Sequence, residues 1–242
     1  ASLAAGCVHA GPRATALGLP GIPAAAETVA LAMILALVQD SGCQVHLGRL
    51  STAAGAQMVA EARDAGLPVS ADVAIWNLLF DESALANYDA SFHLSPPLRA
   101  ETDRMALCAQ LRRGQLDAIC LDHRPLGVDA KLGPFAETRP GAAGLDIYVA
   151  LLLRLSAAAD LPLPQLARAC HTAPRRILGE AGKASSWVLI DPDSEWTPAA
   201  ENCISQAANQ PLTGQVLRGR TAATVQAGEI RLFEHWQNRL GV

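Results

Sequence analysis

Polar residues gather where the apolar runs of this sequence end. His46 and Arg49 close the run around Val45 and Leu47, Trp76 and Asn77 follow Val69 to Val73, His93 and Ser95 close Ala90 to Leu94, and Asp122 and His123 end Leu116 to Leu121. In an α/β barrel the C-terminal strand ends face the active-site mouth. Imidazoles and a carboxylate converging there suit a metallohydrolase, in which histidines hold zinc and a carboxylate moves protons through a metal-bound water. Asp122 beside His123 fits the general-base end of such machinery. The pair reads equally well as a carboxylate capping a turn and a histidine bonded to backbone. His46 shares a strand face with Gly48 rather than Arg49, so it reads as a satisfied core or interface histidine. Trp76 and Asn77 are not strong zinc ligands, and a tryptophan at a barrel mouth takes the room that metal and water need. Arg49 either binds an anion or fills a vacated space.

Other chemistries find little support. Gly18 to Gly21 is too short for a phosphate loop and lacks the Lys-Ser/Thr that would follow. No nucleophile elbow exists, which argues against acyl transfer through a serine.

The elements that position these residues alternate. Residues 1–22 read as irregular, and the opening, Ala1 to Cys7, reads as the interior of a longer protein. A helix over 24–41 follows, bounded by Pro23 and Gly42. It is apolar nearly all round from Val29 to Val38, which predicts burial on more than one face. Strands are expected at 45–50, 67–73, 90–94 and 116–123. Helices are expected from about Ser51, Glu101, Ala142, Leu163 and Thr172. Strands about 25 residues apart with helices between are the mark of βα units. A complete barrel takes about 250 residues, so four strands before Gly179 make roughly half of one. After residue 180 the pattern turns to β, with a strand at Trp187 to Ile190 and a hairpin over 224–232 turning at Ala227-Gly228. The expected organisation is a partial TIM barrel over 1–180 and a β-rich segment over 181–242.

Composition narrows the classes. Half of the 242 residues are hydrophobic and 17% are charged, so core material is ample. A net charge of −4 gives no electrostatic reason to expect nucleic acid or an anionic membrane as partner. The ten-residue apolar run at Val29 to Val38 is too short to cross a bilayer, which needs about 20 residues. Six scattered cysteines without a C-x-x-C pair read as buried free thiols of a reducing, cytoplasmic compartment.

Gly18-Leu19-Pro20-Gly21-Ile22-Pro23-Ala24-Ala25-Ala26-Glu27 resembles the "GLPGIPxxAE" segment of bacterial type I dihydroorotases, members of the amidohydrolase superfamily. Val45 to Thr52, Pro68 to Phe80, Ser95 to Asp103, Asp117 to Pro125, Pro134-Phe135, Pro174 to Gly179, Ile190 to Pro192 and Leu217 to Arg220 follow the same family in order. The resemblance implies an α/β fold: the C-terminal part of an amidohydrolase-type (β/α)8 TIM barrel with the remnant of a small β-sandwich. It also implies zinc-dependent opening or closing of a cyclic amide.

The family's functional residues carry over poorly. Arg49 stands where the family has the zinc-binding histidine of "HxxHVST". Trp76 stands at the ligand histidine of "EVTPHHL", and Ser95 at the substrate-binding asparagine of "NPPLR". Asp122 alone keeps a catalytic identity, that of the aspartate in "TDHAPH", as a vestige. With two imidazoles lost and a cation at Arg49, which repels a divalent metal, no metal ligand and no cofactor is expected. The chain is therefore similar to the inactive dihydroorotase-like subunits of some bacteria, notably pseudomonads. What that implies is a structural role beside the aspartate transcarbamoylase catalytic chain, in a dodecameric hetero-oligomer of pyrimidine biosynthesis. Two other readings stay open: a zinc-dependent cyclic amidohydrolase with a rearranged site, and an anion-binding module in which Arg49 and Arg124 hold a carboxylate or phosphate.

Overall fold

The computed structural model describes residues 3–180, 186–233 and 235–237. Its central sheet is parallel, in the order β3 (Val45–Leu50), β4 (Val69–Ala74), β5 (Ala118–Cys120). Val45 pairs with Val69, Leu47 with Ala71 and Val73 with Ile119. Leu47, Leu50, Val69, Ala71, Val73 and Ile119 are all buried, as parallel strands sandwiched between helices require.

The helices between the strands follow from local signals. α2 (Ala25–Ser41) has an acidic first turn at Glu27 and stops at Gly42, whose φ of 67° is the left-handed cap glycine adopts without cost. α3 (Ala53–Asp64) is capped by Thr52, whose hydroxyl accepts from the Gly55 N–H at 2.9 Å. α4 (Ile75–Leu79), α5 (Glu101–Arg112) and α6 (Tyr148–Ala158) complete the barrel-side helices. α7 (Leu163–Ala167) runs through a π turn at Arg168–Thr172 into α8 (Ala173–Ile177), where Pro174 offers no N–H to the ladder.

Four expectations are corrected. Residues 1–22 are not wholly irregular: β1 (Val8–His9) pairs in parallel with β2 (Gly21–Ile22) across α1 (Pro12–Leu17). Ala90–Phe92 is a 3-10 turn rather than a strand, because the Asp89 carboxylate accepts from the Ser91 N–H at 2.9 Å and closes the backbone on itself. In α2 only Leu31 and Val38 are fully buried, and Met33 and Leu37 are 66% and 67% exposed. All-round apolarity there does not bring all-round burial within this chain. The cysteines are all free, yet only Cys7 and Cys108 are buried, and Cys43 is exposed.

The C-terminal sheet is antiparallel: β6 (Ser186–Trp196), β7 (Leu217–Gln226) and β8 (Glu229–Leu232), with Ala227-Gly228 at the last turn. The segment between β6 and β7 returns to the barrel side. Asn209, fully buried, donates from Nδ2 to the carbonyls of Arg124 (2.8 Å) and Gly141 (2.9 Å), and its Oδ1 accepts from the Leu126 N–H at 2.9 Å. No helix among the described residues is long and apolar enough to cross a membrane.

Candidate functional site

The site begins with a break in a strand. Pairing between β3 and β4 shifts between Leu47 and Leu50, so Gly48 and Arg49 form a bulge that re-aims the chain. Arg49 sits at φ 59°, a left-handed conformation that side chains with a Cβ adopt only under constraint. The constraint is Asp72 on β4, whose Oδ1 accepts from the Arg49 backbone N–H at 2.8 Å. From the bulge the Arg49 side chain crosses the strand ends. Its Nη1 donates to the Ser95 carbonyl at 3.0 Å and lies 3.3 Å from Asp122 Oδ1. Asp122, just past β5, is itself left-handed at φ 48°, and the Arg124 Nε donates to the same Oδ1 at 3.1 Å. One carboxylate thus lies between two guanidiniums.

Asp72 uses its other oxygen on His46, with Nε2 at 2.8 Å, while His46 Nδ1 meets the Ser70 hydroxyl at 2.8 Å. The bond to Asp72 raises the His46 pKa against the opposing effect of burial. His46 is therefore satisfied, but on an exposed face rather than in a core, and through Asp72 it braces the Arg49 bulge.

Trp76 is 1% exposed. Its ring is inclined 29° to that of Phe80, with centroids 6.3 Å apart, and lies against Gly144, where a Cβ would come within 2.7 Å of Cζ2. Its indole N–H has no acceptor among the described residues. Asn77 turns away and donates to the Pro97 carbonyl at 3.0 Å. His93 is buried, stacked on Phe135 and bonded to the Thr138 hydroxyl at 2.7 Å, and burial together with the nearby Lys131 cation pushes its pKa down to about 4. His123 accepts at Nδ1 from the Gly144 and Leu145 N–H groups. The structure thus gathers Arg49, Asp122, Arg124 and the Ser95 carbonyl, leaves His93 and His123 in bonds of their own, and packs Trp76 away with its N–H unbonded.

Sequence reasoning missed two residues beside this cluster. Glu27 of α2 accepts four hydrogen bonds, from the backbone N–H and hydroxyl of Ser51 and of Thr52, at 2.6 to 3.0 Å. Gly55 permits this, since a Cβ there would fall 2.3 Å from the carboxylate. Arg99, buried, donates to the Ser51 hydroxyl and the Ile22 carbonyl. Both stand inside the matched segments, Glu27 at the end of Gly18 to Glu27 and Arg99 within Ser95 to Asp103, which was the available signal. With His46, Arg49 and Ser95 they line a cavity of about 440 Å³.

No family model matches the chain. Among curated proteins it is 40% identical over 231 residues to a dihydroorotase-like protein of Pseudomonas aeruginosa, covering 93% of this chain and 54% of that protein. It is 36% identical to a probable dihydroorotase-like protein of Synechocystis, covering 90% and 52%, and 32% identical to a dihydroorotase of Mycobacterium leprae, covering 92% and 54%. The chain spans about half the length of these relatives. Among solved structures it superposes on a Thermus D-hydantoinase with a TM-score of 0.79 at 19% identity, over 92% of this chain and 51% of that one. The inactive dihydroorotase-like domain of a Chaetomium thermophilum CAD-like multifunctional protein gives 0.63 at 19%, over 83% and 54%.

The fold is thus a portion of the amidohydrolase TIM barrel. Within that class, its curated homologues are the dihydroorotase-like proteins and dihydroorotases named above.

The zinc that the resemblance to dihydroorotases implies does not fit the residues present. Among the described residues no three His, Cys, Asp or Glu side chains are grouped to hold a metal ion. At the strand ends a guanidinium occupies the approach to Asp122, the Asp122 Oδ1 is engaged twice, and a buried indole stands at Trp76.

Proposed function

We propose that this chain is a non-catalytic dihydroorotase homologue that serves as a structural subunit of aspartate transcarbamoylase, in a cytoplasmic dodecameric hetero-oligomer of pyrimidine biosynthesis. The observation that carries the loss of catalysis is the double engagement of Asp122 by Arg49 and Arg124. A general base must lie within hydrogen-bond reach of the water it deprotonates, and here the Oδ1 of Asp122 is taken up by two guanidiniums. Trp76, sealed against Gly144, supports the same reading, because it fills volume that metal and substrate need. The transcarbamoylase partner rests on the likeness to inactive pseudomonad subunits, and the pseudomonad relatives bear dihydroorotase-like names.

Co-expression with an aspartate transcarbamoylase catalytic chain tests the role. The expected result is a co-purifying complex larger than the catalytic chain forms alone, with altered transcarbamoylase activity. Separate elution of the two chains with unchanged activity contradicts it.

A second reading is a zinc-dependent cyclic amidohydrolase of dihydroorotase or hydantoinase type. It is favoured by relatives at 32% identity that are named dihydroorotase outright. Stoichiometric zinc with turnover of dihydroorotate supports it against the first.

A further inference from the structure

A second cavity lies away from the strand-end cluster, where α6 meets the C-terminal sheet. It has a volume of about 440 Å³, within the range of small-molecule sites. Its polar wall carries Arg220 of β7, His235, His123 and Asp146. Leu145, Val149, Ile204 and Phe233 supply an apolar wall.

Arg220 supplies the cation of this wall. Its guanidinium carbon lies 4.6 Å over the Trp196 ring, and Trp196 is fixed by donating its indole N–H to the Gly219 carbonyl at 3.1 Å. Stacking of this kind holds the guanidinium plane and leaves its edge donors unused. Among the described residues no carboxylate or carbonyl receives them, in contrast to Arg49, Arg63, Arg99, Arg104, Arg112 and Arg124, each of which has an acceptor. The two histidines are also incompletely used. His123 accepts two backbone N–H groups at Nδ1, which assigns its proton to Nε2, and that N–H has no acceptor among the described residues. His235 Nε2 is buried with no partner. Burial and the neighbouring Arg220 cation lower the His235 pKa, so its ring is neutral and free to donate or accept.

We propose that this cavity binds a small organic monoanion, with a carboxylate on the Arg220 edge and an apolar body against Leu145, Val149, Ile204 and Phe233. A guanidinium edge matches a carboxylate through two parallel hydrogen bonds. Asp146 sets the charge limit. Its Oδ1 accepts from the Ile204 and Ser205 N–H groups at 2.7 and 3.3 Å, which fixes a negative charge on the same wall and opposes a dianion. The site involves none of the residues proposed to have lost catalysis, apart from the link of His123 to its neighbour Asp122, and it stands whether or not the chain is an enzyme.

Titration of the full chain with benzoate at pH 8.5, followed by calorimetry and by tryptophan fluorescence, tests the assignment, with benzamide as neutral analogue and inorganic phosphate, a dianion at this pH, as the doubly charged one. Expected are saturable one-site benzoate binding, binding of benzamide and phosphate weakened tenfold or more, and a tenfold or greater loss in Arg220→Met with unchanged circular dichroism. If Arg220→Met does not fold, His123→Ala carries the test and is expected to weaken benzoate several-fold. Absence of benzoate binding, equal binding of benzamide, tighter binding of phosphate, or full affinity in the folded variants overturns it.

Discussion

Arg49 and Asp122 face each other across the strand ends at 3.3 Å, and both hold left-handed backbone conformations, at φ 59° and 48°. Two residues in sparsely populated backbone conformations thus meet in one ion pair at the strand ends. Strain of this kind persists only where surrounding bonds over-determine it, and here Asp72 and Arg124 supply them.

The pair gives an asymmetric prediction. Asp122→Asn leaves two guanidiniums adjacent without a counter-charge, and is expected to cost about 1 kcal/mol, the scale of a partly exposed pair. Arg49→Gly loses the same pair but relieves about 1 kcal/mol of left-handed strain, so it should be near neutral. Urea unfolding of both variants decides. Equal losses contradict the role given to strain.

Trp76 and Gly144 act as one packing unit. Trp76→Ala should destabilise by about 3–5 kcal/mol, as removal of a buried aromatic does. Gly144→Ala drives a methyl to 2.7 Å from the ring and should cost about 1–3 kcal/mol. Thermal unfolding checks both, and a neutral Gly144→Ala shows that the ring is free to move.

Histidines 46 and 93 should give opposite pH dependences. The Asp72 bond raises the folded pKa of His46, so its contribution is complete below about pH 6.5 and is lost as pH rises through the raised value. His93 is held neutral by burial and by Lys131, with a pKa of about 4, while the unfolded chain takes up this proton below about pH 6.5. Stability from His93 is therefore lost as pH falls from about 6.5 to 4. Unfolding free energy against pH should lose its alkaline decline in His46→Asn and part of its acid decline in His93→Gln. Unchanged profiles contradict the assignments.

How far these features were legible in the sequence depends on the range of the interaction. The strands around Val45, Val69 and Ile119 were readable because buried parallel strands are continuous apolar runs. Phe92 and Leu94 mimicked such a run, but the carboxylate of Asp89 two residues before Ser91 closed a turn instead. The apolarity of α2 announced a need for cover without saying how much of it this chain provides. Arg49 and Asp122 were legible as odd residues at strand ends, but their contact spans 73 positions and no local spacing encodes it. The grip of Asn209 on Arg124, Leu126 and Gly141 was invisible for the same reason. The unused edge of Arg220 needed the position of Trp196 to be seen at all.

Restoring the family's histidines should not restore the enzyme. Arg49→His with Trp76→His returns two imidazoles, yet Ser95 and the two-residue reach of Arg124 to Asp122 remain. The double variant is expected to show no turnover of dihydroorotate above background. Substantial turnover would mean that the site is damaged only at those two positions.

The most direct test of the central claim is metal content and activity measured on the same preparation. The unaltered chain, expressed in zinc-supplemented medium and desalted, should carry well under one zinc per chain and turn over no dihydroorotate. One tightly held zinc per chain together with dihydroorotate turnover would contradict the account.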